Sequence, residues 1–485
     1  MISRRSLLAG LGAAPSIFAQ NAARRPNILF LFADDMRHST ISALGAPQVK
    51  TPNLDKLAGR GVAFTRAHIM GGTSGAVCMP SRAMLHTGRT LFGIEREGQT
   101  IHRDHTMLGE AFQQAGYHCF GTGKWHNGPA AFSRGFNDGD NIFFGGMDDH
   151  WNVPVSHYHK AGDYPAAKPH PWDPGTAAGK QINQKVFDEV KSGVHSSELF
   201  ASTIVDFLKK RDRSKPFLAY SAFMAPHDPR TMPKQYLDMY PASAMRLPDN
   251  FLPEHPFDNG ELKVRDEMLA ALPRDPEETK RHIGAYYAMI SHLDAQIGRI
   301  LQALDDTGAA RDTIVVFAAD NGLAVGQHGL FGKQNLYDHS VRVPMMMAGP
   351  GLPVKQKRSA YCYVLDLFPT LCDLTGIAKP ASIQGRSIKP AIDKPSVKIR
   401  DHVHTAYRHL QRAVSDDRYK LIEYHVEGKR RTQLFDLWQD PWEKKDLSSE
   451  AGHSGRVTSM RELLGKWRTE LGDTRPEFGG KFWGA

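Results

Sequence analysis

The sequence is poor in cysteine. Its four cysteines, Cys78, Cys119, Cys362 and Cys372, are scattered over 485 residues and lack the spacing of a metal site. The stretch from Cys362 to Cys372 has a helical pattern, and a helix over this interval would hold the two thiols about 15 Å apart. We therefore expect neither a metal cluster nor a disulfide from this pair. Cys119 lies in an apolar run and is expected in the core.

The sequence also lacks a basic stripe, although cationic residues are in excess. Lys and Arg number 61 against 52 Asp and Glu, which gives a formal charge of +9. Because these residues are spread along the chain, the charge does not predict nucleic-acid binding. It is compatible with an anionic substrate, and an ordinary solvated surface is the alternative. Hydrophobic residues make up 41% and charged residues 23% of the chain, which indicates a folded globular protein.

A third feature missing from the sequence is an apolar run of about 20 residues, so we do not expect a membrane protein. The first 22 residues instead carry Arg4 and Arg5 ahead of a short run rich in Gly and Ala. Paired arginines before a weakly apolar stretch are typical of a twin-arginine export signal. We expect cleavage between Ala19 and Ala22, and a periplasmic or extracellular mature protein.

Several apolar runs of strand length are present, and each ends abruptly in polar residues. They cover residues 27–33, 117–120, 216–223 and 313–319. Near-continuous apolar strands are typical of a parallel sheet that is covered on both faces. Helical patterns separate them, over residues 54–57, 106–115, 197–210 and 286–307. The alternation predicts a doubly wound, mostly parallel α/β sheet with helices on both faces.

The polar residues that follow these strands predict one shared site. Asp34 and Asp35 follow the first strand, Lys124 and His126 the second, His227 and Asp228 the third, and Asp320 and Asn321 the fourth. Ligands of open α/β sheets bind at the carboxyl ends of the strands. The four polar groups should therefore meet.

Two regions depart from this alternation. Residues 140–175 read as a loop rich in Gly, Pro, His and Trp, and it includes His170 and Trp172. After residue 395, two apparent antiparallel strands, 412–424 and 433–437, precede a helix over 457–471. We therefore predict a catalytic domain over residues 24–395 and a small C-terminal α+β subdomain with an antiparallel sheet over 396–485.

Cys78 stands apart from the other cysteines because Pro, Ser, Gly and Arg surround it. Pro80 suits the first turn of a helix, which Ala83, Met84 and Leu85 continue. Cys78 would then lie at a helix N-terminus, where free N–H groups and the helix dipole favour anions. A reactive thiolate is one interpretation, and an incidental cysteine at a capped helix is the other.

The motif Cys-x-Pro-Ser-Arg that begins at Cys78, followed by Leu85, Thr87 and Gly88, resembles the signature of the type I sulfatases of the alkaline phosphatase superfamily. Further motifs match that family in order: Asp34-Asp35, Gly123-Lys124-Trp125-His126, Pro226-His227, Asp320-Asn321-Gly322 and Gly332-Lys333. The resemblance covers roughly residues 26–445. It implies an alkaline-phosphatase-like fold, a sulfuric ester hydrolase, and a formylglycine that a maturation enzyme makes from Cys78.

The chemistry of the acidic groups agrees with a calcium site. Ca²⁺ prefers oxygen ligands, which Asp34, Asp35, Asp320 and the amide oxygen of Asn321 can supply. The set does not suit zinc, which prefers His and Cys. Adjacent strand residues point to opposite faces, so Asp34 and Asp35 can share one ion only where the chain leaves the pleat. The resemblance adds the formylglycine derived from Cys78 as a further ligand.

The resemblance also implies a mechanism. One hydroxyl of the formylglycine hydrate attacks sulfur with help from Asp320, and the alcohol departs. The second hydroxyl then loses its proton to His126, which expels sulfate and restores the aldehyde. The implied catalytic residues are Cys78, Arg82, Lys124, His126, His227 and Lys333. Arg82 and Lys124 would hold the hydrate and its oxyanion. His227 and Lys333 would bind sulfate, with His227 as proton donor to the leaving oxygen.

Substrate contacts are less sharply indicated. His328 and His339 flank Lys333 in sequence and are candidates for either substrate contact or scaffold. In the loop, His150 and Trp151 are candidates for binding a sulfated carbohydrate, because aromatic faces suit sugar rings and imidazoles suit anionic oxygens. An insertion packed on its own aromatics is the alternative. Alternative activities are an arylsulfatase, a phosphonate or phosphodiester hydrolase of the same superfamily, and a non-catalytic sugar-binding relative.

Overall fold

The computed structural model describes residues 25–94, 96–169 and 184–484. The predicted export signal and the loop residues His170 and Trp172 lie outside these ranges. In chain order the strands are β1 (Asn27–Ala33), β2 (Gly61–Phe64), β3 (Ala67–His68), β4 (Gly71–Gly72), β5 (His118–Lys124), β6 (Asp138–Phe143), β7 (Asn152–Val155), β8 (Lys168–Pro169), β9 (Gln184–Lys185), β10 (Glu189–Ser192), β11 (Phe217–Ala222), β12 (Thr313–Ala319), β13 (Met345–Ala348), β14 (Gln356–Arg358), β15 (Cys362–Tyr363), β16 (Val403–Tyr407), β17 (Gln411–Ser415), β18 (Tyr419–Val426) and β19 (Lys429–Asp436).

The α-helices lie between these strands and after them. They are α1 (Pro52–Gly59), α2 (Cys78–Thr87), α3 (Leu108–Gln114), α4 (Pro129–Gly135), α5 (Ser196–Lys210), α6 (Lys234–Leu237), α7 (Pro276–Asp306), α8 (Asp338–Val341), α9 (Leu367–Thr375), α10 (Lys389–Asp393), α11 (Ser454–Glu470) and α12 (Lys481–Trp483). Within the described residues, no helix combines the length and the apolar character needed to cross a membrane.

The main sheet has the strand order β14-β2-β13-β12-β1-β11-β5-β6. Strands β12, β1, β11, β5 and β6 are parallel neighbours, whereas β13 runs antiparallel to both β12 and β2. Every residue of β1, β11 and β12 is buried. Because successive strand residues point to opposite faces, both faces of the central sheet are covered. The predicted mostly parallel, doubly wound α/β fold is confirmed.

A second sheet lies in the C-terminal region, with the order β19-β18-β17-β16-β4. It packs a small apolar cluster against α11, in which Val414 and Leu421 of the strands meet Val457, Met460 and Leu464 of the helix. The predicted antiparallel sheet is present, but β4 comes from the N-terminal part of the chain and pairs in parallel with β16. The domain boundary at residue 395 stays a prediction.

Three local expectations were wrong. The stretch 412–424 is two strands, because Asp416 turns the chain by accepting the amides of Arg418 and Tyr419 at 2.9 and 2.7 Å. The predicted loop 140–175 contains β7, which pairs antiparallel with β10. Cys362 lies in β15 and not in a helix with Cys372, although all four cysteines are free thiols.

Candidate active site

The candidate site lies where four parallel strands end side by side. β12, β1, β11 and β5 are consecutive neighbours, so the polar residues after them share one edge of the sheet. The chain leaves the pleat at Asp35, whose φ is 60°, and this brings the carboxylates of Asp34 and Asp35 into one cluster. The Asp35 amide donates to Asp320 Oδ1 at 3.1 Å, which joins the ends of β1 and β12.

Cys78 is the first residue of α2, at the predicted helix N-terminus. Its Sγ lies 3.3 Å from His126 Nδ1 and 3.5 Å from Lys124 Nζ, and the side chain is buried. Burial raises the pKa of the Cys78 thiol, even though Lys124 and Lys333 oppose the shift. Asp34 and Asp320 place a carboxylate oxygen within 4.8 Å of the sulfur and of each other.

Buried cations compensate the carboxylates. Lys124 Nζ donates to Asp34, Arg82 Nε donates to Asp320 Oδ2 at 2.9 Å, and Lys333 Nζ donates to Asp35 Oδ1 at 2.7 Å. These three carboxylates face three cationic side chains, so the cluster is electrically neutral before any ion or substrate enters. Adding a divalent cation would leave a positive excess, which favours an anionic substrate.

The pKa values of the two adjacent aspartates, Asp34 and Asp35, are shifted in opposite directions. Burial raises the pKa of Asp34 to about 6, with the nearby charge of Asp320 acting in the same direction. Burial also acts to raise the pKa of Asp35, but His227 and Lys333 outweigh it and lower this pKa to about 2. Asp35 is thus held in its charged form more strongly than Asp34.

His126 and His227 approach the cluster from two sides. His126 has a left-handed backbone conformation, with φ at 69°, and burial beside Lys124 and Arg82 lowers its pKa well below the usual range. His227 donates from Nδ1 to the carbonyl of Asp228 at 2.8 Å, and its Nε2 lies 3.6 Å from Asp35 Oδ2. The predicted residues Cys78, Lys124, His126, His227 and Lys333 are therefore brought together.

Two buried oxygens of the acidic cluster are available to bind a cation. Within the described part of the chain, the buried atoms Asp34 Oδ1 and Asn321 Oδ1 have no hydrogen-bond partner. Buried oxygens without a partner are costly in a folded protein. Both belong to residues predicted as metal ligands, and carboxylate and amide oxygens are the donors that Ca²⁺ prefers. The residues present fit a hard cation.

The four residues predicted to bind substrate lie in different surroundings from one another. His328 stacks on Tyr337 with ring centroids 3.9 Å apart, and its Nε2 lies 3.1 Å from Asn250 Nδ2; both contacts favour the scaffold interpretation. Burial lowers its pKa to about 3. His339 is buried beside these rings, and Trp151 is half-buried and packs edge-on against His195.

His150 is buried and lies behind His227. Its Nε2 donates to the His227 carbonyl at 3.0 Å, and its Nδ1 lies 2.7 Å from Ser196 Oγ. Both ring nitrogens are therefore hydrogen-bonded to protein groups. No pattern in the sequence indicates this, because a histidine in a polar loop is the same residue in the sequence whether its side chain is buried or exposed. Arg265, which supports His227 through Asp228, was likewise not singled out.

Comparisons with known proteins agree on one family. The family model described as Sulfatase matches residues 26–377, and that described as N-sulphoglucosamine sulphohydrolase, C-terminal, matches residues 326–470. An arylsulfatase of Clostridium perfringens is 30% identical over 468 residues, which cover 91% of this chain and 94% of that protein. An N-acetylglucosamine-6-O-sulfatase of Bacteroides thetaiotaomicron is 25% identical, with 94% and 88% covered.

A solved structure has the same fold. A protein in complex with its substrate D-glucosamine-2-N,6-O-disulfate superimposes with a TM-score of 0.74 at 22% identity, over 94% of this chain and 99% of that chain. At this identity the likeness bears on the fold alone.

Proposed function

The chain belongs to the sulfatase family, and we propose that it hydrolyses sulfate monoesters of saccharides with calcium and a formylglycine made from Cys78. The observation that carries the proposal is the cluster around residue 78. A buried cysteine at the start of α2 contacts Lys124 and His126 and lies among aspartates at the ends of parallel strands. Such a cluster would bring a reacting group, a cation site and proton carriers into one hydrogen-bonded network.

Asp34, Asp35, Asp320 and Asn321 would hold the cation. Ca²⁺ would supply positive charge that stabilises an oxyanion on residue 78 and on the substrate. The unpartnered oxygens of Asp34 and Asn321 support this assignment. Arg82 keeps Asp320 oriented through its bond at 2.9 Å, and its Nη1 donates to the Lys124 carbonyl at 2.8 Å.

As a formylglycine hydrate, residue 78 would offer two hydroxyls on one carbon. One would attack the ester sulfur and release the alcohol, and the second, once deprotonated, would expel sulfate and restore the aldehyde. His126 is the side chain best placed to accept a proton from this position, because its Nδ1 lies 3.3 Å from the Cys78 sulfur. Lys124 donates to the same atom and would stabilise negative charge there. A serine would lack the second hydroxyl and could be trapped as a stable sulfate ester.

His227 and Lys333 lie on the side of Asp35 and would bind the sulfate group. The Nδ1 of His227 is committed to the Asp228 carbonyl, so Nε2 is the nitrogen available to exchange a proton with the leaving oxygen. Lys333 is buried, and Asp35 keeps its pKa well above the usual range despite burial. It would therefore act as a fixed positive charge.

A sulfated saccharide is the proposed substrate class. Relatives named for N-acetylglucosamine 6-sulfate and for Δ4,5-hexuronate 2-sulfate support it. A panel of sulfated mono- and oligosaccharides, compared with an aryl sulfate of matched concentration, tests it. We expect kcat/KM to be higher for at least one saccharide. A preference for the aryl sulfate over the whole panel would contradict the saccharide assignment.

Phosphonate or phosphodiester hydrolysis is the alternative that the cysteine motif leaves open. Turnover of the sulfate and of a phosphate diester of one phenol should be compared on the same preparation. We expect the sulfate to react faster, and faster reaction of the diester would favour the alternative.

We further propose that the protein is exported and that a maturation enzyme converts Cys78 before export.

A further inference from the structure

Three consecutive charged residues, Arg265, Asp266 and Glu267, connect the loops that carry His227 and Lys333. We propose that this strap, residues 265–267, consists of positioning residues that set the separation of His227 and Lys333 and so the affinity for the sulfate group. The inference rests on the proposed function, in which those two side chains bind sulfate. The strap itself belongs to neither loop, since it lies between α6 and α7.

Arg265 holds the loop after β11. Its guanidinium makes a two-pronged contact with Asp228, in which Nη1 donates to Oδ2 and Nη2 donates to Oδ1 at 3.1 Å. Asp228 is buried and directly follows His227, whose Nδ1 is bonded to the Asp228 carbonyl. A planar guanidinium fixes both the distance and the orientation of a carboxylate. The contact therefore fixes the peptide that orients the His227 ring.

Glu267 holds the loop before Lys333. Its two carboxylate oxygens accept the backbone N–H groups of Phe331 and Gly332, each at 2.8 Å. Arg274 donates to the same carboxylate and to the Gly329 carbonyl, the latter at 2.9 Å. Gly332 packs so closely that an added Cβ would lie 2.8 Å from Glu267 Oε1. The buried carboxylate of Glu267 thus holds the backbone that precedes Lys333 in place.

Asp266 completes the strap through Gln334. Asp266 Oδ2 accepts Gln334 Nε2 at 2.8 Å, and Gln334 Oε1 accepts the backbone N–H of Lys333 at 3.0 Å. The same Nε2 donates to the carbonyl of Gly75 at 3.0 Å, three residues before Cys78. The strap therefore also reaches the segment that leads into α2.

The need for such a strap follows from the topology. His227 follows β11, whereas Lys333 follows β12, and β1 lies between these strands. Each residue stands in a loop several residues beyond its strand, so the sheet alone does not set their distance. Charge-assisted bonds to buried acceptors are strong enough to do so.

The test is Arg265→Met, with Arg418→Met as the matched control. Both arginines are partly exposed, at 45% and 40%, and both pair with a buried aspartate, Asp228 in one case and Asp436 in the other. We expect Arg265→Met to raise KM for a sulfate ester and the inhibition constant of inorganic sulfate together, each by about tenfold, with a smaller change in kcat. Arg418→Met should leave both constants within about twofold of wild type.

Glu267→Gln provides a second variant, because an amide nitrogen would face a backbone N–H where an oxygen now accepts. It should weaken sulfate binding in the same direction, and Arg265→Lys should restore part of the loss caused by Arg265→Met. If Glu267→Gln does not accumulate, Arg265→Met decides alone. Formylglycine content and melting temperature are measured on every variant.

The proposal that the strap positions His227 and Lys333 would be overturned by either of two results. One is an unchanged inhibition constant of inorganic sulfate in Arg265→Met, and the other is an equal change of KM and of this constant in Arg265→Met and Arg418→Met. Failure of the wild-type enzyme to hydrolyse any sulfate ester would instead overturn the proposed function, so the two failures are distinct.

Discussion

Asp320→Asn should reveal two separate roles of one carboxylate. In the structure Oδ2 accepts Arg82 Nε at 2.9 Å and Oδ1 accepts the Asp35 amide at 3.1 Å. An asparagine retains one acceptor and directs an NH₂ group at one of these donors. Arg82 is fully buried, so the substitution weakens a buried ion pair and leaves a cation without its main partner.

The expected loss can be worked from these contacts. Removing one partner of a buried pair costs about 3–5 kcal/mol of the free energy of unfolding. Arg82 keeps the Lys124 carbonyl at 2.8 Å and Asp34 at 3.8 Å, which places the loss near the lower limit, about 3 kcal/mol. In chelator, the variant should be less stable than wild type by this amount.

The second role concerns calcium. A ligand at about 100 times its Kd adds about 2.7 kcal/mol to the free energy of unfolding. Asp320→Asn changes the neutral cluster into one with a net positive charge, which disfavours a divalent cation. If Kd rises about 100-fold, the calcium-dependent increment at the same concentration falls to about 0.4 kcal/mol.

The assay is denaturant unfolding of wild type and variant in chelator and in calcium. The control is Asp294→Asn, since Asp294 is a buried carboxylate of α7 that accepts the Leu54 amide at 2.7 Å, in a contact that does not involve the cluster. It should lower stability and leave the calcium increment unchanged. An undiminished increment in Asp320→Asn, or no increment in wild type, would refute the reasoning.

Three further predictions concern residue 78, His150 and the pair of N-terminal arginines. Peptide mass analysis of active enzyme should show residue 78 about 18 Da lighter than cysteine, and Cys78→Ser should be nearly inactive; full activity with unmodified Cys78 contradicts the mechanism. His150→Ala should lower the melting temperature and kcat for all substrates alike, because its ring supports the His227 carbonyl, and a change confined to one sulfated substrate would contradict this. Replacing Arg4 and Arg5 by Lys should strand active, formylglycine-bearing enzyme inside the cell, which cell fractionation followed by mass analysis would show; normal export of that variant contradicts the predicted route.

The central sheet could be predicted because its strands have a distinctive sequence pattern. β1, β11 and β12 are buried on both faces, so their residues form continuous apolar runs with polar residues directly after them. β4 and β7 were not predictable in this way. They consist of two and four residues, and they are strands only because a partner distant in sequence, β16 or β10, supplies the hydrogen bonds.

The same distinction applies inside the site. Asp34 and Asp320 stand directly after apolar strands, and Lys124 is the last residue of β5. Parallel neighbours bring such positions together whatever the loops do. His150 and Glu267 have no such anchor in the sequence. A histidine in a polar loop and a glutamate in a short turn are both expected on the surface, yet each is buried because it satisfies backbone groups of a loop that carries a site residue. Residues that face the cluster can thus be inferred from the sequence of each strand considered separately. Residues that hold the loops in place depend on pairs of segments, such as 265–267 with 331–334, that come together only in the folded chain.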